Sequence, residues 1–164
     1  MADGLRLTLG SLERTAQVGR ALGEVLQPGA IGLFFGDMAA GKTTFIKSVC
    51  AGCGIAPEMV ISPTYTLANL YPGDPLVCHV DLFRLESPEA LLDMDQNDWL
   101  RTEGITLIEW PIHALPMLEG EAWLELFFTV PSGAMAQESR VLEIVDPQGR
   151  YRHVLDAIDR FKTS

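Results

Sequence analysis

Two periods of hydrophobic and polar residues run through the first third of the chain, and they predict different elements. Residues 5–9 alternate apolar and polar side chains, which predicts a half-buried strand. Ser11 can then cap a helix that ends at a Pro-Gly pair. Residues 30–35 are continuously apolar, as in a strand buried on both faces of a parallel sheet. A second helix is predicted from near Gly41 to about residues 52–54.

The remaining pattern predicts four more strands, two more helices and an extended segment. Residues 60–71 form an extended loop that leads into a strand. The other strands are predicted at 76–80, 105–108, 123–130 and 140–145, and the helices at 88–101 and 152–161. The chain is therefore predicted to adopt an α/β fold, with a mostly parallel sheet flanked by helices and an antiparallel edge. With no repeat or linker, residues 1–164 are predicted to form a single domain.

Composition narrows the class of function. Of 164 residues, 22 are acidic and 12 are basic, giving a net charge of −10, so direct binding to a nucleic-acid backbone is not expected. Three cysteines are too few for a disulfide framework and favour a reducing compartment. The first ten residues lack a signal-peptide core, and no apolar run is long enough to span a membrane. We therefore expect a soluble, cytoplasmic protein.

A phosphate-binding motif follows the apolar run. The sequence from Gly36 to Thr43 has glycine, four residues and then Gly-Lys-Thr, between a predicted strand and a predicted helix. Such a loop wraps backbone N–H groups around a phosphate, and Gly36 and Gly41 keep it free of side-chain bulk. Lys42 would bridge the β- and γ-phosphates, Thr43 would bind Mg²⁺, and Thr44 could reach the α-phosphate. The motif predicts ATP and Mg²⁺ as cofactors.

Two acids complete the candidate chemistry. Asp81 and Glu109 each directly follow an apolar strand, and the carboxyl ends of parallel strands lie at the same edge of a sheet as the loop. At least one of them should contact Mg²⁺ or the attacking water. Position at a strand end does not say which acid binds the metal and which positions the water.

Four motifs in order carry a resemblance to a known family. They are Gly36-Asp37 with Gly41-Lys42-Thr43-Thr44-Phe45, Ser62-Pro63-Thr64-Tyr65-Thr66-Leu67, His79-Val80-Asp81-Leu82-Phe83-Arg84-Leu85, and Ile108-Glu109-Trp110-Pro111. Together they resemble the TsaE family, formerly YjeE, the small ATPases of bacterial tRNA threonylcarbamoyladenosine biosynthesis. The resemblance spans roughly residues 9–140.

The resemblance implies a P-loop ATPase that supports a threonylcarbamoyl-transfer complex. The complex has a sugar-kinase-like catalytic subunit of the TsaD type and a paralogous partner of the TsaB type, and it modifies adenosine 37 of tRNAs that read ANN codons. The transfer chemistry belongs to those partners. The protein would meet tRNA only indirectly, which agrees with its charge, and it would have no membrane partner.

The resemblance also implies roles for particular residues. Lys42 and the loop amides, including those of Asp37, Ala39 and Ala40, would hold the phosphates. The family pattern makes Thr43 and Glu109 the Mg²⁺ ligands, and it puts Asp81 in the place of the acid needed for hydrolysis.

Three further positions match the family around the nucleotide. Thr15 corresponds to a threonine near the adenine, and Arg140 to a late basic position near the nucleotide. Thr64 belongs to a loop, residues 62–67, that resembles the family's switch region near the γ-phosphate.

The chain departs from the family at one loop position. The family usually has glycine at the fourth position of the loop, where this chain has Ala39. If the backbone there has a positive φ, alanine costs about 1–2 kcal/mol relative to glycine. The minimal motif is intact, so ATP binding is still expected.

Two other functions compete with a partner-coupled ATPase. A small-molecule or nucleoside kinase would use the same loop, although no arginine-rich lid segment is evident. A nucleotide-binding scaffold without turnover is the other alternative, suggested by Ala39. Cys50 and Cys53 form a CxxC pattern at the end of the second predicted helix, where a thiolate is not stabilised, so a redox function is not predicted.

Overall fold

The computed structural model describes residues 2–63, 66–133 and 138–162. Its strands are β1 (Asp3–Leu9), β2 (Ile31–Phe35), β3 (Ala68–Tyr71), β4 (Leu76–Asp81), β5 (Gly104–Glu109), β6 (Leu124–Thr129) and β7 (Arg140–Asp146). Its helices are α1 (Leu12–Val25), α2 (Lys42–Gly52), α3 (Glu89–Leu92) and α4 (Arg152–Ile158). All seven strands form one sheet in the order β1-β7-β6-β2-β5-β4-β3.

The centre of the sheet is parallel and both of its sides are antiparallel. β6, β2, β5 and β4 pair in parallel, whereas β7 and β1 on one side and β3 on the other pair antiparallel. The predicted α/β fold class is confirmed. The second antiparallel side arises because only residues 72–75 connect β3 to β4, and so short a connection requires a hairpin.

Each face of the sheet has its own apolar core. Helices α1, α2 and α4 cover one face, with residues such as Val18, Phe45 and Val154 packed on it. The segments that connect β4 to β5 and β5 to β6 cover the other face, and Trp99 in the first of them is fully buried. Neighbouring residues of β2 point to opposite cores, which explains why its sequence is continuously apolar.

The predicted helix over residues 88–101 is wrong. Only the single turn α3 and a 3₁₀ turn, Gln96–Asp98, form there. Asp95 has an extended backbone, and its Oδ1 accepts hydrogen bonds from the backbone N–H and the side-chain amide of Asn97. Such short polar side chains offer the backbone an alternative to the helix, and the break allows Trp99 to enter the core.

No helix in the described part of the chain is long and apolar enough to cross a membrane. The organisation of residues 1–164 as one domain stays a prediction, although every described strand belongs to the same sheet.

The close contact of α1 with α2 depends on Gly23, which has no side chain, and a substitution tests this. A Cβ at Gly23 would collide with the carbonyl oxygen of Val49 on α2. We expect Gly23→Ala to lower the free energy of unfolding by about 2 kcal/mol, since overpacking forces the helices apart. At Gly10 a Cβ would meet no atom within 4 Å, so Gly10→Ala is the control. Equal melting temperatures for the two variants would contradict this packing.

Candidate nucleotide-binding site

The candidate site lies where the parallel strands end. The loop after β2 leads directly into α2, and β5 is paired with both β2 and β4. In the β4–β5 register, Asp81 is opposite Glu109. The parallel pairing therefore brings both strand-end acids to the edge that carries the loop, as the sequence predicted.

The loop bends through three residues with a positive φ. These are Gly36 at 144°, Ala39 at 62° and Gly41 at 102°. A Cβ at Gly36 would lie 2.7 Å from the carbonyl oxygen of Phe128, so this position also requires glycine for space. Ala39 adopts the left-handed conformation that the missing family glycine predicts, and its Cβ strains the loop there.

Lys42 is folded back onto the loop. Its side chain is buried, and Nζ donates hydrogen bonds to the carbonyl oxygens of Gly36 at 2.5 Å and Asp37 at 2.9 Å. Burial lowers the pKa of Lys42 because it disfavours the charged form, and the carboxylates of Glu109 and Asp81 oppose that change. The ammonium group is therefore held by carbonyl oxygens that a phosphate oxygen could replace.

An aromatic pair closes this side of the loop. The Lys42 Nζ lies 4.1 Å from the ring centroid of Trp110, and the Phe83 ring packs against Trp110 at 5.0 Å. Trp110 has a φ of 56°, which is rare for a bulky residue and turns the chain sharply after β5. This strained turn keeps the ring over the lysine.

Glu109 forms the centre of a buried hydrogen-bond network. It is 3% exposed. The Thr43 hydroxyl donates to Oε1 at 2.9 Å and lies 3.1 Å from Oε2, while Nε2 of His79 lies 2.8 Å from Oε2. Helix α2 and strands β4 and β5 thus meet at one carboxylate.

Asp81 lies at the same edge but in a different environment. Its Oδ1 accepts a hydrogen bond from the backbone N–H of Phe83 at 2.9 Å, and Oδ2 accepts one from the Ser62 hydroxyl at 3.4 Å. Partial burial raises the pKa of Asp81, and the charge of Glu109 adds to the increase. Asp81 also lines the open cleft over the loop.

Two clefts meet over the loop, and Ala39, Ala40, Gly41 and Thr44 line both of them. The larger, of about 820 Å³, contains Lys42, Thr43, Asp81 and Glu109. The smaller, of about 420 Å³, is lined additionally by Leu9, Ser11, Leu12, Thr15, Phe128, Glu138 and Arg140. Polar chemistry is concentrated in the first cleft, and a more apolar recess lies in the second.

Thr15 and Arg140, the two predicted nucleotide-binding residues outside the loop and the switch-like segment, both line the smaller cleft. The Thr15 hydroxyl donates to the carbonyl oxygen of Ser11 at 3.0 Å, so it is engaged within the first turn of α1. Arg140 Nε donates to the carbonyl oxygen of Ala40 at 3.2 Å, which joins β7 to the loop. Thr64 lies outside the described residues.

Sequence reasoning missed the contact of His79 with Glu109 and most of the smaller cleft. The first could have been found from strand period and register, because His79 is two residues before Asp81 on the same face of β4. The second had no local signal, since its walls come from α1, β6 and the start of β7.

The cysteines are not arranged for chemistry. Cys50, Cys53 and Cys78 are buried and free. Burial raises the pKa of Cys50 to about 12 and that of Cys53 to about 11, so both stay as thiols near neutral pH.

The donor set suits Mg²⁺ rather than a metal held by protein ligands alone. In the described residues, no group of three or more His, Cys, Asp and Glu side chains could hold an ion. The Thr43 hydroxyl and the Glu109 carboxylate are hard oxygen donors held against each other. Mg²⁺ commonly takes one or two such protein ligands and completes its shell with substrate phosphates and water.

The loop, the helix that follows it and the parallel strands beside it define an α/β protein of the P-loop class. A solved structure has a similar fold. The crystal structure of Bacillus subtilis YdiB superposes with a TM-score of 0.76 at 22% identity, covering 98% of this chain and 97% of that one.

Sequence comparison identifies the family. The family described as threonylcarbamoyl adenosine biosynthesis protein TsaE matches residues 9–133. Proteins named tRNA threonylcarbamoyladenosine biosynthesis protein TsaE are similar to this chain. That of Treponema pallidum is 36% identical over 106 residues, covering 65% of this chain and 78% of the relative. That of Synechocystis sp. is 35% identical over 123 residues, covering 73% and 77%. The chain belongs to the TsaE family.

The strain at Ala39 predicts a stabilising substitution. We expect Ala39→Gly to raise the free energy of unfolding by about 0.5–1 kcal/mol, because relief of the left-handed strain exceeds the entropic cost of glycine. The neighbouring Ala40 is buried and lacks a positive φ, so Ala40→Gly should destabilise the protein. Chemical denaturation of both variants measures the two changes in the free energy of unfolding, which should have opposite signs. A loss of stability in Ala39→Gly would contradict the strain.

The raised pKa of Asp81 predicts a pH-dependent stability. A carboxyl whose pKa is higher in the folded state destabilises the fold when it is deprotonated, and that cost disappears as the pH falls through the folded-state pKa. At pH 7, Asp81→Asn should therefore be more stable than the wild type, by no more than about 1 kcal/mol because the group is partly solvated. The difference should shrink towards about pH 4. A difference in melting temperature between Asp81→Asn and the wild type that stays constant from pH 7 to about pH 4 would contradict the shift.

Proposed function

We propose that the protein binds ATP with Mg²⁺ and hydrolyses it to support the complex that forms threonylcarbamoyladenosine at position 37 of tRNAs reading ANN codons. The observation that carries the proposal is the Thr43–Glu109 pair directly beside the phosphate-binding loop. A structural turn would not need a buried carboxylate bonded to the first hydroxyl of the helix.

Phosphate binding would depend on the loop and Lys42. The start of α2 lines the larger cleft, and the free N–H groups at a helix N-terminus favour an anion. Lys42 now bonds the carbonyl oxygens of Gly36 and Asp37, which would have to be exchanged for phosphate oxygens. This exchange replaces neutral acceptors with charged ones, and charge-assisted hydrogen bonds are stronger.

The two acids would have different roles because their surroundings differ. Glu109 is buried and accepts a hydrogen bond from the Thr43 hydroxyl, which suits a fixed ligand for Mg²⁺ together with Thr43. The ion would neutralise charge on the phosphates. Asp81 is partly exposed and has a raised pKa, so it is the better group to orient a water in the larger cleft and take its proton.

The adenine would lie in the smaller cleft. Its walls include Leu12 and Phe128, which offer apolar contact, and it opens onto the same loop residues as the larger cleft. Thr15 and Arg140 line it at the positions that the family pattern associates with the nucleotide.

The output of hydrolysis would be a changed contact with other proteins. The family name links the chain to threonylcarbamoyladenosine formation, and we propose TsaD-type and TsaB-type subunits as the partners. The net charge of −10 is unfavourable for holding tRNA directly, so the partners would hold it. Three free, buried cysteines suit the reducing cytoplasm.

ATP hydrolysis tests this function. We expect slow turnover by the protein alone and faster turnover when both partner subunits are added. Lys42→Ala should reduce the rate by about 100-fold or more, as expected for loss of a charge that stabilises the transition state. Lys47→Ala, five residues further along α2, is the matched control and should keep the wild-type rate.

Three outcomes would contradict the proposal. A phosphorylated product from a panel of nucleosides would indicate a kinase. Bound ATP with no turnover in any mixture would indicate a scaffold. Turnover that ignores the partner subunits would separate ATP hydrolysis from tRNA modification.

A further inference from the structure

His79 is a fully buried polar residue that the proposed chemistry leaves without a role. It lies in β4, and its side chain is 0% exposed. Nε2 lies 2.8 Å from Glu109 Oε2, whereas Nδ1 has no hydrogen-bond partner in the described part of the chain. Burying a polar atom without a partner costs free energy, so the contact of Nε2 with Glu109 must offset part of that cost.

The contact defines which ring nitrogen carries the hydrogen. An ionised carboxylate only accepts hydrogen bonds, so Nε2 must donate to Oε2 of Glu109. Nδ1 is then the nitrogen without a hydrogen, and it is also the nitrogen that lacks a partner. The contact with Glu109 therefore selects the Nε2–H tautomer of the neutral ring.

The two oxygens of Glu109 have unequal partners. Oε2 lies 2.8 Å from Nε2 of His79, whereas Oε1 has the shorter contact, 2.9 Å, with the hydroxyl of Thr43. We propose that His79 is a positioning residue, whose Nε2–H holds Oε2 so that Oε1 and the Thr43 hydroxyl stay together as ligands for Mg²⁺. The inference rests on the proposed function, because it concerns the Mg²⁺ of bound ATP. Hydrogen bonds behind a metal ligand orient it and strengthen its binding.

Two substitutions separate the hydrogen bond from packing. In His79→Gln the side-chain amide can occupy the place of Nε2 and still donate to Glu109, whereas the shorter amide of His79→Asn occupies the place of Nδ1. His153→Asn replaces an exposed histidine far along the chain and is the matched control. Each protein is titrated with a fluorescent ATP analogue in EDTA, and its complex with the analogue is titrated with Mg²⁺ in a separate sample without EDTA.

We expect His79→Asn to weaken the apparent affinity for Mg²⁺ by about 10–100-fold, the usual effect of losing such a bond. Its affinity for the analogue in EDTA should stay within about twofold of the wild type, since the loop itself is unchanged. His79→Gln should recover most of the loss. A merely structural role would instead alter both affinities together and would not be rescued by glutamine.

The outcomes that overturn the inference differ from those that overturn the function. Wild-type Mg²⁺ affinity in His79→Asn, or equal losses in the asparagine and glutamine variants, would refute His79 as a positioning residue and leave the ATPase proposal standing. Absence of Mg²⁺-dependent nucleotide binding in the wild type would refute both.

A measurement on the wild-type protein tests the role of His79 without using a variant that could fail to fold. With ¹⁵N-labelled histidine, the NMR signals of the ring nitrogens report the tautomer. The inference requires the Nε2–H form in the free protein and in its complex with Mg²⁺ and the analogue. The Nδ1–H form in either state would overturn it.

Discussion

The structure depends on one buried carboxylate. Glu109 ends the strand at the centre of the candidate site, and it accepts hydrogen bonds from Thr43 on α2 and from His79 on β4. A charge this deeply buried is tolerated only when its hydrogen bonds are made, so the three elements must meet in one arrangement. The parallel pairing of β5 with β2 and β4 makes that meeting possible, because it brings their carboxyl ends to one edge.

The same constraint prepares the loop for an anion. Lys42 lies among Glu109, Asp81 and the loop carbonyl oxygens, and its ring contact with Trp110 shields it from water. In this state its charge is satisfied by acceptors that bind it less strongly than phosphate would. The strained backbone at Ala39 and Trp110 is part of that arrangement, and strain of this kind is concentrated at functional sites.

The sequence predicted the parts of this site that are local. The loop lies between a buried strand and a helix, and both acids directly follow strands, so their placement followed from period and topology. The helix over residues 88–101 failed because Asp95 competes for the backbone and Trp99 must enter the core. The contact of His79 with Glu109 could be inferred only once the strand register was known. The cleft lined by Leu12 and Phe128 depends on tertiary packing, and no short segment specifies it. The positive φ at Ala39 could be predicted only conditionally, from the glycine that the family has at that position.

The most direct measurement is a crystal structure of the protein with Mg²⁺ and a non-hydrolysable ATP analogue. The account predicts phosphates in the larger cleft, with Lys42 Nζ moved from the Gly36 and Asp37 carbonyl oxygens to a phosphate. It also predicts an ion bound between Thr43 and Glu109, with adenine in the smaller cleft. A nucleotide bound elsewhere, or Lys42 and the Thr43–Glu109 bond unchanged beneath it, would contradict the account.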